Sequence, residues 1–99
     1  MNDGLTLEDF EPLIGQPFRM AYPGHAEALT LTAARVAATV PPSGMRQGFL
    51  LTFAGESRDV LLGQHSYRLE NDALGMLEIF LVPIDRLPDG NFAYEAVFG

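Results

Sequence analysis

The sequence contains no cysteine and no lysine. Without cysteine there is no disulfide framework, no thiolate nucleophile and no cysteine metal site. Without lysine there is no Schiff-base chemistry. The six basic residues, all arginine, stand singly along the chain against 13 acidic ones, for a net charge of −7. Because such a chain repels phosphate backbones and anionic lipids, neither nucleic acid nor a membrane is an expected partner.

Long apolar runs are also missing from the sequence. No stretch reaches the roughly 18 residues that a membrane-spanning helix needs, and the first four residues lack the features of a secretory signal. We therefore expect a soluble, cytoplasmic protein. The chain has 99 residues, of which 47% are hydrophobic, and this predicts one domain over residues 1–99.

The strongest pattern present is a period of two in the second half of the chain. Apolar residues take alternate positions in three runs: Tyr67 and Leu69; Leu77, Ile79 and Leu81; and Phe92, Tyr94, Ala96 and Phe98. Because successive side chains of a strand point to opposite faces, each run predicts a strand with one inward face. Residues 16–22, 28–36 and 49–53 predict three further strands, although the alanines over 33–38 leave a helical alternative open for the end of the second.

The only helical start signal lies in residues 5–14, where Thr6 can cap a first turn rich in acidic residues. Pro12 limits this helix to one or two turns, so residues 1–15 are expected to be a short helical lead-in. Its sheet-facing side chains are predicted to be Phe10, Leu13 and Ile14. About six strands with short turns predict an all-β, mainly antiparallel domain that forms a small barrel or a bent sandwich.

Two connections between the strands are predicted in more detail. Residues 40–44 must be a loop, because they contain two prolines and a glycine. Residues 54–64 form a longer connection that Val60, Leu61 and Leu62 are expected to tether to the core. Asp72 is expected to form a turn by bonding its own backbone.

Residues that could carry chemistry are few. His25, after the Pro23-Gly24 turn, is interpreted as a surface residue without a ligand two or four positions away. His65 is next to Ser66, but adjacent strand residues point in opposite directions, which argues against a base and nucleophile pair. The sequence therefore predicts no catalytic residue, no cofactor and no metal site, and no enzyme.

The run from Leu77 to Ile84 is apolar on both faces of its strand. A small antiparallel sheet normally leaves one face exposed to solvent. Phe80 and Val82 are therefore either buried in a barrel corner or under the N-terminal helix, or they contact another chain, together with Val97. A structural or accessory module that acts through protein contacts, including self-association, is the first hypothesis. The alternative is a small-ligand binder whose barrel mouth is lined by His65, Tyr67 and Arg68.

Three segments carry a resemblance to a known family: residues 5–18, residues 67–83 from Tyr67-Arg68-Leu69-Glu70 through Gly75 to Pro83, and the closing Tyr94-Glu95-Ala96-Val97-Phe98. They resemble a family of small bacterial domains of unknown function, about 100 residues long. Genes of that family often stand near those of phage-tail-collar-like proteins. The resemblance implies an assembly or accessory role and supplies no catalytic residue.

Overall fold

A computed structural model describes residues 5–37 and 48–98 of the chain. A single-turn helix, α1 (Leu7–Phe10), leads into a 3₁₀ turn (Glu11–Leu13). Six strands follow: β1 (Pro17–Tyr22), β2 (His25–Val36), β3 (Phe49–Gly55), β4 (His65–Asn71), β5 (Gly75–Arg86) and β6 (Phe92–Phe98). The predicted all-β, antiparallel class with one short N-terminal helix is confirmed.

The six strands form a closed barrel in the order β1-β2-β3-β6-β5-β4. Every neighbouring pair is antiparallel. The structure thus selects the barrel over the sandwich. Closure of a barrel removes the free sheet edges at which strands of other chains would add.

Two long strands bend enough to close the barrel. The register shifts in β2 between Leu31 and Ala33, and in β5 between Pro83 and Asp85. Irregularities of this kind increase local twist and redirect a strand. As a result, β5 pairs with β4 along its first half and with β6 along its second. β2 continues as a strand to Val36, so the helical alternative for its end does not apply to the described residues.

The side chains at alternate positions of the strands point inward and fill the barrel, as the period of two predicts. In β3 and in the first half of β5, every second residue is buried. The buried apolar cluster is Phe10, Leu13, Phe18, Met20, Leu29, Leu31, Phe49, Leu51, Phe53, Leu62, Leu69, Leu77, Ile79, Leu81, Tyr94 and Ala96. All six strands contribute to this cluster, so the barrel has one continuous core rather than a channel.

The helical lead-in follows the prediction except at its last residue. The Thr6 backbone N–H donates to Asp9 Oδ2 at 2.8 Å, which satisfies one of the free donors at the helix start. Phe10 and Leu13 are buried, but Ile14 is 45% exposed, so its predicted contact with the sheet is wrong. The chain leaves helical geometry at Ile14, whose ψ is 128°, and its side chain therefore leaves the buried face.

Turn residues join the strands where the sequence places them. Pro23 and Gly24 connect β1 to β2, with Gly24 at φ 87°, a region that residues with a side chain rarely adopt. The predicted loop over residues 40–44 lies outside the described residues. In the turn after β4, Asn71 rather than Asp72 forms the side-chain turn: Asn71 Oδ1 accepts the Ala73 and Leu74 amides at 2.8 and 3.2 Å. Asp72 pairs with Arg19 instead, at 2.7 Å.

Candidate functional site

One end of the barrel is closed by aromatic side chains. Phe10 of α1 lies 6.3 Å from Phe18, 5.8 Å from Phe49 and 5.5 Å from Phe98, measured between ring centroids. Phe49 and Phe98 stack at 4.8 Å across β3 and β6. Because these rings fill the entrance, this end offers no passage to the interior.

The opposite end is covered by residues 56–64, the connection from β3 to β4. Leu62 is 6% exposed and its backbone N–H donates to Tyr94 Oη at 2.9 Å. Tyr67 Oη donates to the Gly63 carbonyl at 2.7 Å. Val60 and Leu61 are 41% and 54% exposed, so of the three predicted tethers only Leu62 is correct.

A buried carboxylate sits beneath this connection. The Glu27 side chain is 1% exposed, and its Oε1 lies 2.5 Å from His25 Nε2. Its Oε2 accepts the Ser57 backbone N–H at 3.2 Å. Gly55 allows this approach, since a Cβ there would lie 2.7 Å from Glu27 Oε2. These contacts link β2 to the connection that covers the barrel.

His25 is therefore more than the surface turn residue that the sequence predicts, and the interpretation that no partner stands two positions away is wrong. The signal was available in the sequence. Glu27 lies on the same face of β2 as Leu29 and Leu31, because alternate residues of a strand share a face. Both leucines are fully buried, so the Glu27 side chain faces inward. A carboxylate at an inward position needs a partner, because burying an unpaired charge is costly.

The predicted mouth residues lie at this same covered end. The His65 and Tyr67 rings meet edge to face at 5.4 Å, and Tyr67 meets Tyr22 at 6.1 Å. The Arg68 backbone N–H donates to Tyr22 Oη at 2.7 Å. His65 and Arg68 are exposed. The structure thus brings His65 and Tyr67 together, beside a barrel entrance that Leu62 occupies, whereas Arg68 contributes only its backbone there and its side chain lies on the outer face of β4.

Of the remaining chemical candidates, Ser57 has structural partners. Ser57 Oγ accepts the Asp59 and Val60 amides at 3.2 and 2.9 Å, which makes it a turn residue. Ser66 lies opposite Phe80 in the β4–β5 register. Within residues 5–37 and 48–98, no three His, Asp or Glu side chains come together as metal ligands. No helix in the same part of the chain is long and apolar enough to cross a membrane.

Two tyrosines at the covered end have raised pKa values. Burial raises the pKa of Tyr94 above 10.0, with the nearby Glu27 charge adding to it and the hydrogen bond from Leu62 opposing it. Burial also raises the pKa of Tyr67, and Tyr22 adds to it. Both phenols therefore resist ionisation more in the folded chain than in the unfolded one.

We expect alkaline pH to destabilise the domain through these two phenols. A pKa raised by folding contributes stability that is fully present below about pH 10 and is lost as pH rises through the folded value. The melting temperature should therefore fall above about pH 10, and less steeply in Tyr94→Phe than in the wild type. Circular dichroism melts at several pH values measure this, with the two slopes compared rather than the absolute stabilities. Equal slopes would contradict the assignment to Tyr94.

The outside of the barrel carries an apolar surface over β3, β5 and β6. Phe80 is 48% and Val97 65% exposed, while Leu50 and Val82 are half-buried. Leu50 lies opposite Val97 in the β3–β6 register. We call these four residues the outer apolar face. Within residues 5–37 and 48–98, nothing buries Phe80 in the way that the sequence left open.

Neighbouring positions make this face continuous. β5 pairs Val82 with Glu95 of β6. Phe80 and Val97 each lie two residues from that pair, toward the same end of the barrel. The face is thus an apolar strip across three strands, with a carboxylate on one side. Exposed apolar patches rimmed by polar residues are typical of protein interaction sites.

These features define a small closed antiparallel barrel with a filled interior, two covered ends and an apolar outer strip. The family model described as a domain of unknown function, DUF6916, matches residues 5–98, and the chain belongs to this family. The predicted kinship with an uncharacterised small domain is thereby confirmed. Comparison with curated proteins and with solved structures gave no match.

Proposed function

We propose that the domain is a non-enzymatic structural or accessory module that acts through protein–protein contacts. Its contact surface is the outer apolar face, and its first partner is a second copy of the same chain. The observation that carries the proposal is the exposure of Phe80 and Val97, at 48% and 65%, on adjoining strands of the closed barrel. A contact that removes this strip from water gains roughly 25 cal/mol for each Å² of apolar area buried.

Charges beside the face support pairing of two copies. Arg35 lies opposite Leu50 in the β2–β3 register, and Glu95 lies opposite Thr52 in the β3–β6 register. Both charges therefore border the same outer surface with opposite signs. In a two-fold contact each residue of one copy meets the complementary position of the other. Arg35 of one copy can then face Glu95 of the second.

The net charge of −7 opposes this association. Two like-charged copies repel over distances of about a Debye length, roughly 10 Å at 0.1 M salt. The apolar contact must overcome that repulsion. Self-association through this face should therefore strengthen as ionic strength rises, which distinguishes it from an association driven by ion pairs.

The non-enzymatic part of the proposal is supported by how the chemical candidates are used. The His25 ring is engaged by Glu27, and Ser57 Oγ accepts two backbone amides. Both groups thus hold the connection over the barrel end. Two finer parts of the proposal, a bacterial origin and a role related to phage-tail assemblies, are supported by the sequence resemblance alone. A place in the cytoplasm is supported by the lack of any long apolar run in the sequence.

The alternative, a ligand held at the mouth by His65, Tyr67 and Arg68, has weaker support. Tyr67 Oη is engaged by the Gly63 carbonyl, and Leu62 occupies the entrance. A ligand would have to displace residues 56–64, with the loss of the bond between Leu62 and Tyr94. We therefore favour the contact module.

Light scattering tests the proposal. We expect the wild-type mass to rise from monomer toward dimer as concentration reaches on the order of 100 µM, and to rise further in high salt. Phe80→Asp should remain monomeric, because it places a charge in the contact. Ala21→Asp is the matched control, since it adds the same charge at an exposed position on the far side of the barrel. A strictly monomeric wild type, with Phe80→Asp indistinguishable from it, would remove self-association from the proposal.

A further inference from the structure

The connection over one end of the barrel, residues 56–64, is held in place differently from the strands around it. It contains no helix or strand. Among the described residues, none of the backbone–backbone hydrogen bonds of turns and loops involves this segment. Side chains of the barrel and of the segment itself hold it instead. We call residues 56–64 the strap.

Two side chains from the barrel interior hold the underside of the strap. Glu27 of β2 accepts the Ser57 N–H at 3.2 Å, and Tyr94 of β6 accepts the Leu62 N–H at 2.9 Å. Leu62 is the one residue of the strap that is buried. The underside is therefore held by two hydrogen bonds and a single apolar side chain.

Arginine side chains fasten the strap to the turn between β5 and β6. Arg86 Nη2 donates to the Arg58 carbonyl at 2.9 Å, and Arg58 Nε donates to Asn91 Oδ1 at 3.1 Å. The Arg86 guanidinium is itself oriented, because it lies 4.7 Å over the centroid of the Phe92 ring. Both arginines are exposed, so water competes for their hydrogen bonds.

The opposite end of the barrel is closed by packing instead. The rings of Phe10, Phe49 and Phe98 lie within 5.8 Å of one another there. A segment with few buried apolar contacts opens at a lower free energy than a packed core does. The six-stranded ladder and the aromatic end contain none of the strap's contacts, so both can persist while the strap is open.

We propose that the strap is a gate, which opens as a unit from a barrel that stays folded. Opening breaks the bonds to Glu27, Tyr94 and Arg86 and takes Leu62 out of the core. Water then reaches the Glu27 carboxylate and the Tyr94 hydroxyl, which are 1% and 0% exposed while the strap is closed. This inference does not rest on self-association, because the strap and the side chains that hold it lie outside the outer apolar face.

Amide hydrogen exchange of the ¹⁵N-labelled full chain, followed by NMR, tests the gate. Ser57 and Leu62 report on the strap, and Phe53 reports on β3, a strand between β2 and β6. After correction for intrinsic rates, we expect the two strap amides to exchange about a hundredfold faster than Phe53, or more. Low concentrations of urea should accelerate Phe53 more than the strap amides, because unfolding of the barrel exposes far more surface than opening of the strap.

Two variants separate opening of the strap from unfolding of the barrel. Phe49→Leu weakens the aromatic end, which the open form retains. It should accelerate exchange at Phe53 about tenfold and leave Ser57 and Leu62 within about twofold of the wild type. Leu62→Val weakens a contact that both opening and unfolding break, so it should accelerate all three amides about fivefold.

The exchange rates give two results that would overturn the proposal. If Phe49→Leu or urea accelerated the strap amides as much as Phe53, the strap would open only when the barrel unfolds. If Leu62→Val accelerated exchange at Leu62 but not at Ser57, the strap would fray residue by residue rather than open as a unit. The urea series uses the wild-type chain, so it decides the first point even if a variant does not fold.

Discussion

Ile79→Asp is expected to unfold the domain, whereas Phe80→Asp, one residue further along the same strand, leaves it folded. Ile79 is 1% exposed and belongs to the central apolar cluster. An aspartate there loses the packing of a large side chain and buries a charge without a partner. The combined cost, more than about 4 kcal/mol, is a large share of the 5–15 kcal/mol by which small domains are stable.

Phe80→Asp shows whether the effect of Ile79→Asp comes from burial of the side chain or from its position in the chain. Phe80 points out of the barrel, so an aspartate there meets water and should change the free energy of unfolding by only about 0.5 kcal/mol. Urea unfolding followed by circular dichroism measures both variants. If Ile79→Asp were as stable as the wild type, the inward assignment of alternate β5 residues would be wrong. If Phe80→Asp also unfolded, the outer apolar face would belong to a core.

Phe10→Ala should be the most damaging substitution outside the strands. Phe10 is fully buried and its ring lies within 6.3 Å of three other phenylalanine rings at the closed end of the barrel. Truncating a buried phenylalanine leaves a cavity and typically costs about 3–5 kcal/mol. We expect a loss of that size in urea unfolding, with α1 detached from the barrel.

Ile14→Ala is the matched control for Phe10. It removes a large apolar side chain from the same lead-in, but Ile14 is half exposed, so the expected loss is under about 1 kcal/mol. A similar loss for both variants would mean that the lead-in contributes through general apolar contact. A small loss for Phe10→Ala would mean that the ring does not close the barrel.

The strands could be predicted because a period of two is a local property. Each strand needs only its own residues to show which side is apolar, and the hairpin turns carry glycine and proline that restrict the backbone. The interior side chains of β5, such as Leu77 and Ile79, followed from this pattern. The pattern did not show which element would cover the other side of β5, because that depends on contacts between residues distant in sequence.

The candidate site was harder to predict from the sequence, because its contacts also join residues that are distant in sequence. The bond between the Leu62 amide and Tyr94 joins residues 32 positions apart, and the Arg19–Asp72 pair spans 53. Three successive apolar residues, 60–62, gave no basis for choosing Leu62 as the one that enters the core. The inward orientation of Glu27 could have been predicted, since it alternates along β2 with the same spacing as Leu29 and Leu31.

Photo-crosslinking from position 80 tests the central claim most directly. A benzophenone amino acid replaces Phe80 in the purified full chain, and mass spectrometry locates the residue that it captures after illumination. We predict cross-linked dimers joined at or beside Val97, Val82 or Leu50 of the second copy, and none when the same group is placed at Ala21. Absence of dimers from position 80, or capture centred on residues outside the outer apolar face, would contradict the claim that this surface is a contact between proteins.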